Sequence, residues 1–201
     1  DDENRKKYPA KKTPPDIKFP EISNSSLYDD SVKYVNENFK DNIGKLNEKF
    51  RYPTDYKEAK VWFENFLNER FLEFGDYEDA IVKEFSILNH SLISPLLNSG
   101  LLTPKYVVER ILTFADQKNI PINSNEGIIR QIIGWREFIR GIYVAKGSYE
   151  RTRNFWNFKK EIPESFYTGN TGIEPVDDCI RKVLDTGYLH HIERLMIMGN
   201  H

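Results

Sequence analysis

In residues 54–73 the apolar side chains Ala59, Trp62, Phe63, Phe66, Leu67 and Phe71 recur at intervals of three and four. A helix gathers these onto one face, whereas a strand would scatter them over two. The same period predicts helices over residues 29–39, 77–84, 91–98, 104–117, 126–144 and 177–198. Thr54 followed by Lys57-Glu58 marks the start of the first strongly apolar one. No segment sustains a period of two, and the main breakers, Gly100, Pro121, Pro163 and Gly169 to Gly172, fall between these stretches. The expected fold is therefore all-α and multi-helical.

Two sections differ in character. Residues 1–24, with Tyr8-Pro9, Thr13-Pro14-Pro15 and Phe19-Pro20, read as an extended linker, because proline blocks helix and sheet alike. Residues 25–201 read as one helical domain, its packing rich in aromatics: 13 Phe, 11 Tyr and 3 Trp in 201 residues. An opening linker without an initiator Met predicts a preceding segment. Leu184, Tyr188, Ile192 and Leu195 keep helical phase as far as Met198, which predicts a helix that continues further. The single Cys179 rules out an internal disulfide and fits a reducing, cytoplasmic setting. No run nears the roughly 20 apolar residues of a membrane span, so no membrane partner is expected. The charged start, Asp1 to Lys7, is unlike a signal peptide.

A net charge of −2 argues against a surface that grips nucleic acid everywhere. Charge is unevenly spread, however. Over residues 130–160, Arg130, Arg136, Arg140, Lys146, Arg151, Arg153, Lys159 and Lys160 face only Glu137 and Glu150. That composition fits either a phosphate-binding patch or a solvated helix face.

Three segments combine residue types suited to a site. In Asn89-His90-Ser91-Leu92-Ile93-Ser94-Pro95, the hydroxyls of Ser91 and Ser94 at a helix start suit a phosphate or diphosphate, and equally suit capping. In residues 126–143 the stripe Ile128, Ile132, Trp135, Ile139 and Ile142 leaves Arg136 and Arg140, four apart, with forks suited to phosphate oxygens. Gly134 and Gly141 weaken that helix, which predicts a close neighbour; tight helix packing explains the segment as well. Near the end, His190 and Arg194 stand one helical turn apart with His191 beside them. A histidine next to a cation suits proton donation or a structural role. Zinc is not expected, since adjacent histidines diverge by about 100° on a helix and no Cys or Asp sits at ligand spacing.

In this order and at these separations the three segments resemble the photolyase/cryptochrome family. The likeness is closest to its bacterial photolyase-related branch, which includes the iron-sulfur photolyases. Its most specific parts are Arg130-Gln131-Ile132-Ile133-Gly134-Trp135-Arg136-Glu137-Phe138-Ile139-Arg140-Gly141-Ile142-Tyr143 and Asp185-Thr186-Gly187-Tyr188-Leu189-His190-His191-Ile192-Glu193-Arg194-Leu195-Met196. The resemblance implies an FAD held by a helical domain that follows an N-terminal antenna domain, and damaged DNA as partner. It implies cofactor contacts from Tyr77, Ser91, Ser94, Arg136 and Arg194, DNA contacts from Trp135 and Arg140, and proton donation by His190 or His191. The implied reaction is light-driven electron transfer from reduced FAD to a flipped pyrimidine photoproduct. A light receptor without repair and a helical interaction module without flavin remain the alternatives. Where the iron-sulfur branch carries a cluster cysteine this sequence has about Pro175, and Cys179 lies four residues on, so no cluster is expected. The spacing from Gln131 to Trp135 is one residue longer than in classical photolyases, so no substrate contact is carried over to Gln131.

Overall fold

The computed structural model describes residues 6–14, 16–23, 25–46 and 52–200. Residues 1–5, Pro15 and Asn24 of the expected linker lie outside the described residues, as does His201. In chain order the helices are α1 (Ser25–Asn38), α2 (Tyr56–Glu69), α3 (Phe74–Tyr77), α4 (Ser94–Ser99), α5 (Pro104–Lys118), α6 (Ile122–Ile129), α7 (Glu137–Arg151), α8 (Ser165–Thr168) and α9 (Glu174–Thr186). Among the described residues no strand forms; the one β-type pairing is an isolated bridge between Val82 and Phe85. No helix among them is long and apolar enough to cross a membrane.

The start of α2 is set by Asp55 rather than Thr54, because the Asp55 carboxylate accepts the Glu58 amide at 2.8 Å. Ala59, Trp62, Phe63, Phe66 and Leu67 are buried along its inner face, and a 3-10 turn, Phe71–Glu73, carries the chain into α3. Against that face packs α5, through Val107, Ile111 and Phe114. The Thr103 hydroxyl caps α5 by accepting the Tyr106 amide, and Asn119 ends it with a left-handed φ of +50°. Each such core side chain contributes roughly 1.5–3 kcal/mol by leaving water, so this layer holds the rest in place. The N-terminal segment lies along the same layer: the Phe19 ring stacks on Trp62 at 4.9 Å, and the Asn65 amide donates to the Lys18 carbonyl at 3.0 Å.

A helix over residues 77–84 does not form. After Tyr77 the chain turns, since of the hydrophobic side chains there only Tyr77, Ala80 and Leu88 are buried, in a small cluster with Tyr8, and they leave no continuous helical stripe. The long helix expected over 126–144 is replaced by a longer helical run in three parts. A seven-residue π-helical segment, Arg130–Arg136, joins α6 to α7. Such widened turns shift side chains around the axis, and the apolar stripe divides here: Ile128 and Ile132 are buried while Trp135 and Ile139 are exposed. No atom lies within 4 Å of where a Cβ would stand on Gly134 or Gly141, so close packing does not account for either.

Close packing does account for Gly75. A Cβ there would meet the Asn123 and Ser124 backbones at 2.5 Å, where the Gly75 amide donates to the Ser124 hydroxyl at 2.8 Å. This contact seats α6, and through it the π segment, on α3. Gly75→Ala is expected to destabilise by about 1–3 kcal/mol, the range for overpacking a core. An unchanged melting temperature would refute that.

The last expected helix is also divided. α9 stops at Gly187, whose left-handed φ of +67° ends the helical path. Tyr188, Leu189 and His190 form a short connection before the chain turns helical again, with a second π segment at Glu193–Ile197.

Candidate functional site

These breaks build a cavity. The serine loop ahead of α4, the π segment and the connection after α9 face one another around a hollow of about 740 Å³. The size lies within the range of roughly 300–1,000 Å³ that small-molecule and cofactor sites occupy. Ser91, Ser94, Trp135, Arg136, His190, His191 and Arg194 all line it. Residues 103 positions apart in sequence, Ser91 and Arg194, thus border the same hollow.

The serine loop is locally strained. Leu92 adopts φ +58°, a left-handed conformation that costs an ordinary residue roughly 1–2 kcal/mol, and its buried side chain holds it there. The position that caps α4 belongs to Ile93, with no side-chain hydrogen bond, so neither Ser91 nor Ser94 caps that helix. Capping therefore does not explain the two hydroxyls.

Arg136 is anchored at the rim. Its guanidinium donates to Asn98 Oδ1 at 2.7 Å and to the Leu97 carbonyl at 3.1 Å, fastening the π segment to the C-terminal end of α4. Next to it Trp135 is 64% exposed and stacks on Phe138 at 6.1 Å, so an indole face is open to a planar partner.

The histidines lie at the other end. His190 is fully buried, at the start of the final helical turns, where its carbonyl accepts the Arg194 amide at 3.1 Å. The adjoining His191 is half-buried, with Nε2 at 3.1 Å from Asp79 Oδ1. Beneath His190, Glu193 is buried and accepts from the Lys182 ammonium at 2.7 Å. Glu193 Oε2 also approaches His190 Nε2 to 3.3 Å, but without hydrogen-bond geometry. That approach is a contact rather than an ion pair, since His190 is neutral and Lys182 already balances the carboxylate.

A third imidazole, which the motif reading passed over, completes the group. His90 immediately precedes Ser91, and its ring stacks on His190 at 4.7 Å and meets the edge of His191 at 5.5 Å. Its Nε2 donates to the Glu78 carbonyl at 2.9 Å, because a carbonyl only accepts. Burial, reinforced by the neighbouring His191, pulls the His90 pKa down to about 4; burial and the other two histidines pull His190 down to about 3. Both rings are neutral at pH 7. His90 carries no motif signal other than its place before the serines; only the fold brings it to the pair.

One expected cofactor contact falls elsewhere, and the expected DNA contact Arg140 stands outside the cavity. Tyr77 is not among the residues lining the cavity: it is buried against Tyr8 at 4.7 Å, with the Lys12 ammonium 4.8 Å from its ring. Tyr8 and Lys12 of the N-terminal segment thus cover the Tyr77 ring. Arg140 lies outside the cavity on α7, exposed and paired with Glu137 at 2.8 Å, so it does not share a fork with Arg136. The basic residues 151–160 are exposed beyond it together with Phe155, Trp156 and Phe158. Cys179 is buried in α9, and burial raises its thiol pKa to about 11, a protonated and unreactive state at neutral pH.

Residues 1–52 match the family model described as deoxyribodipyrimidine photo-lyase-related protein. Over its whole length the chain is 35% identical to a (6-4) photolyase of Agrobacterium fabrum, covering 39% of that protein. Over 55% of the chain it is 43% identical to an uncharacterized protein of Acanthamoeba polyphaga mimivirus, covering 85% of it. Over 83% of the chain it is 25% identical to the deoxyribodipyrimidine photo-lyase of Buchnera aphidicola, covering 33% of that protein. The chain thus spans well under half the length of these two photolyases.

Proposed function

The chain belongs to the photolyase/cryptochrome family, and from that membership we propose that it supplies part of the FAD site and DNA surface of a light-driven photolyase acting on ultraviolet pyrimidine photoproducts. The observation that carries this reading is the convergence of the serine loop, Trp135-Arg136 and the histidine pair with Arg194 on one cavity. The donor set fits a flavin dinucleotide: hydroxyls from Ser91 and Ser94 and guanidinium groups from Arg136 and Arg194 suit a diphosphate and an electron-rich ring. Reduced FAD, when bound and excited, supplies an electron to the lesion and receives it back.

The chain's own residues have the remaining tasks. Trp135, exposed at the rim, offers a stacking wall for a base turned out of the duplex. Arg140 and the basic residues 151–160 lie outside the cavity, where duplex phosphates would pass. His191, half-buried and oriented by Asp79, stands at the cavity wall as the group placed to pass a proton to substrate, and the neutral His190 behind it excludes water.

Light-dependent repair of ultraviolet-damaged DNA by the full-length protein tests this reading and separates it from a light receptor with an idle pocket. In that protein His191→Ala is expected to lower repair roughly 100-fold, the range for loss of a general acid, and His190→Ala to lower it by admitting water and freeing His191, while flavin content changes little in either. Wild-type repair rates in both variants would remove the histidines from the mechanism. DNA affinity is expected to fall with salt, and charge removal over residues 151–160 to flatten that slope.

A further inference from the structure

Three of the chain's four histidines meet at one end of the cavity, although His90 stands 100 positions before His190. One ring nitrogen from each lies within 4.8 Å of the other two. We propose that His90, His190 and His191 form a binding site for a divalent transition-metal ion of the zinc class.

The hydrogen bonds around the rings support it. Because His90 Nε2 donates to the Glu78 carbonyl, the lone pair of this neutral ring sits on Nδ1, which is buried without a hydrogen-bond partner. His191 Nε2 faces the Asp79 carboxylate, which accepts, so its lone pair also sits on Nδ1. Neither nitrogen of His190 has a hydrogen-bond partner, though both are buried. Each buried nitrogen left unbonded costs roughly 1–3 kcal/mol, which a ligated ion would recover. A metal-binding histidine characteristically gives its second N–H to a carboxylate or a backbone carbonyl; Asp79 and Glu78 fill those two roles here.

Charge state and geometry agree. Metal ligation requires neutral imidazole, and burial keeps His90 and His190 in that form at pH 7. Tetrahedral ligation at about 2.1 Å puts ligand nitrogens about 3.4 Å apart, so the rings must close in by up to about 1.4 Å, and the stacked His90 and His190 rings must turn out of their stack so that their in-plane lone pairs meet at one ion. Three nitrogen ligands without a thiolate suit zinc, nickel or copper, and all three histidines border the cavity, from which a fourth ligand can come. The ion would occupy the ring nitrogens that must take up a proton before one can be donated, so binding and repair are exclusive. The site itself requires neither flavin nor DNA.

The test uses the metal-stripped wild-type chain without flavin or DNA, in which the outcome is independent of the repair reading. Cobalt(II) titration is expected to give tetrahedral ligand-field bands saturating at one ion per chain, displaced by zinc. In zinc-titrated protein three histidine ring NMR signals are expected to shift together, with the fourth, from His201, unmoved. His90→Ala is expected to weaken binding at least tenfold, Asp79→Asn about tenfold as loss of an outer partner, and His201→Ala not at all. Absence of saturable binding in the wild type, or a shift confined to one ring, would overturn the site; these two readings decide it even if His90→Ala fails to fold.

Discussion

Replacing Lys182 by Met is expected to destabilise the protein by about 3–5 kcal/mol, the range for breaking a buried ion pair from one side. Glu193 is 1% exposed, and its carboxylate has the Lys182 ammonium at 2.7 Å. Asp178 meets the same ammonium at 2.9 Å, one turn earlier on α9. Burial pulls the Lys182 pKa down, but the hydrogen bonds that Lys182 donates to Glu193 and Asp178, together with the charges of those carboxylates, outweigh it and leave the pKa raised. Attraction therefore exceeds desolvation at this site. Methionine keeps the length of the side chain and leaves Glu193 buried and unbalanced. Glu193→Gln should cost much less, since an amide oxygen still accepts from Lys182, which keeps Asp178 as well. Urea unfolding of the two variants measures the asymmetry; equal losses would mean that the pair does not hold the connection after α9.

The legible part of this molecule was the part governed by period. The spacing of Ala59, Trp62, Phe63 and Phe66 specifies α2 directly, and the structure buries those residues. Residues 104–117 became α5 with an error of one residue, because Thr103 and Pro104 punctuate its start and Asn119 its end. The breaks were harder to read, and they are what form the site. Gly187 ends α9 within a pattern that stays apolar at helical intervals, so periodicity alone extends the helix through it. The π segment at Arg130–Arg136 carries no local signal that distinguishes it from an α-helix. Only packing shows that Trp135 leaves the core at that point. The segments containing Ser91, Arg136 and Arg194 were identifiable as motifs; that they face one hollow is a property of tertiary structure. Tyr77 shows the converse, a position singled out by resemblance whose ring the N-terminal segment covers. The local divergence of His190 and His191 argues against zinc in the sequence; the third ring, from His90, is brought to them only by the fold.

Acidification from pH 7 to pH 4 in the presence of chelator is expected to remove about 3 kcal/mol of stability for each buried imidazole that stays neutral in the fold. An unfolded histidine takes up its proton near pH 6.5. His90, with a folded pKa near 4, and His190, near 3, do not. Above pH 6.5 both states are neutral and the rings add no pH dependence. Below it the unfolded chain binds more protons than the folded one, so stability falls until the folded pKa is reached. The groups facing His90 explain the direction: burial, His191 and Arg70 oppose its charge, against weaker support from Asp79 and the Glu78 carbonyl. Around His190, burial is joined by His90, His191, Lys182 and Arg194, and Glu193 is already balanced by Lys182. His90→Gln removes one titrating ring, so its loss between pH 7 and pH 4 should be smaller than the wild-type loss by about 3 kcal/mol. If urea midpoints of wild type and variant fall in parallel with pH, His90 is charged in the folded protein and the neutral stack is wrong.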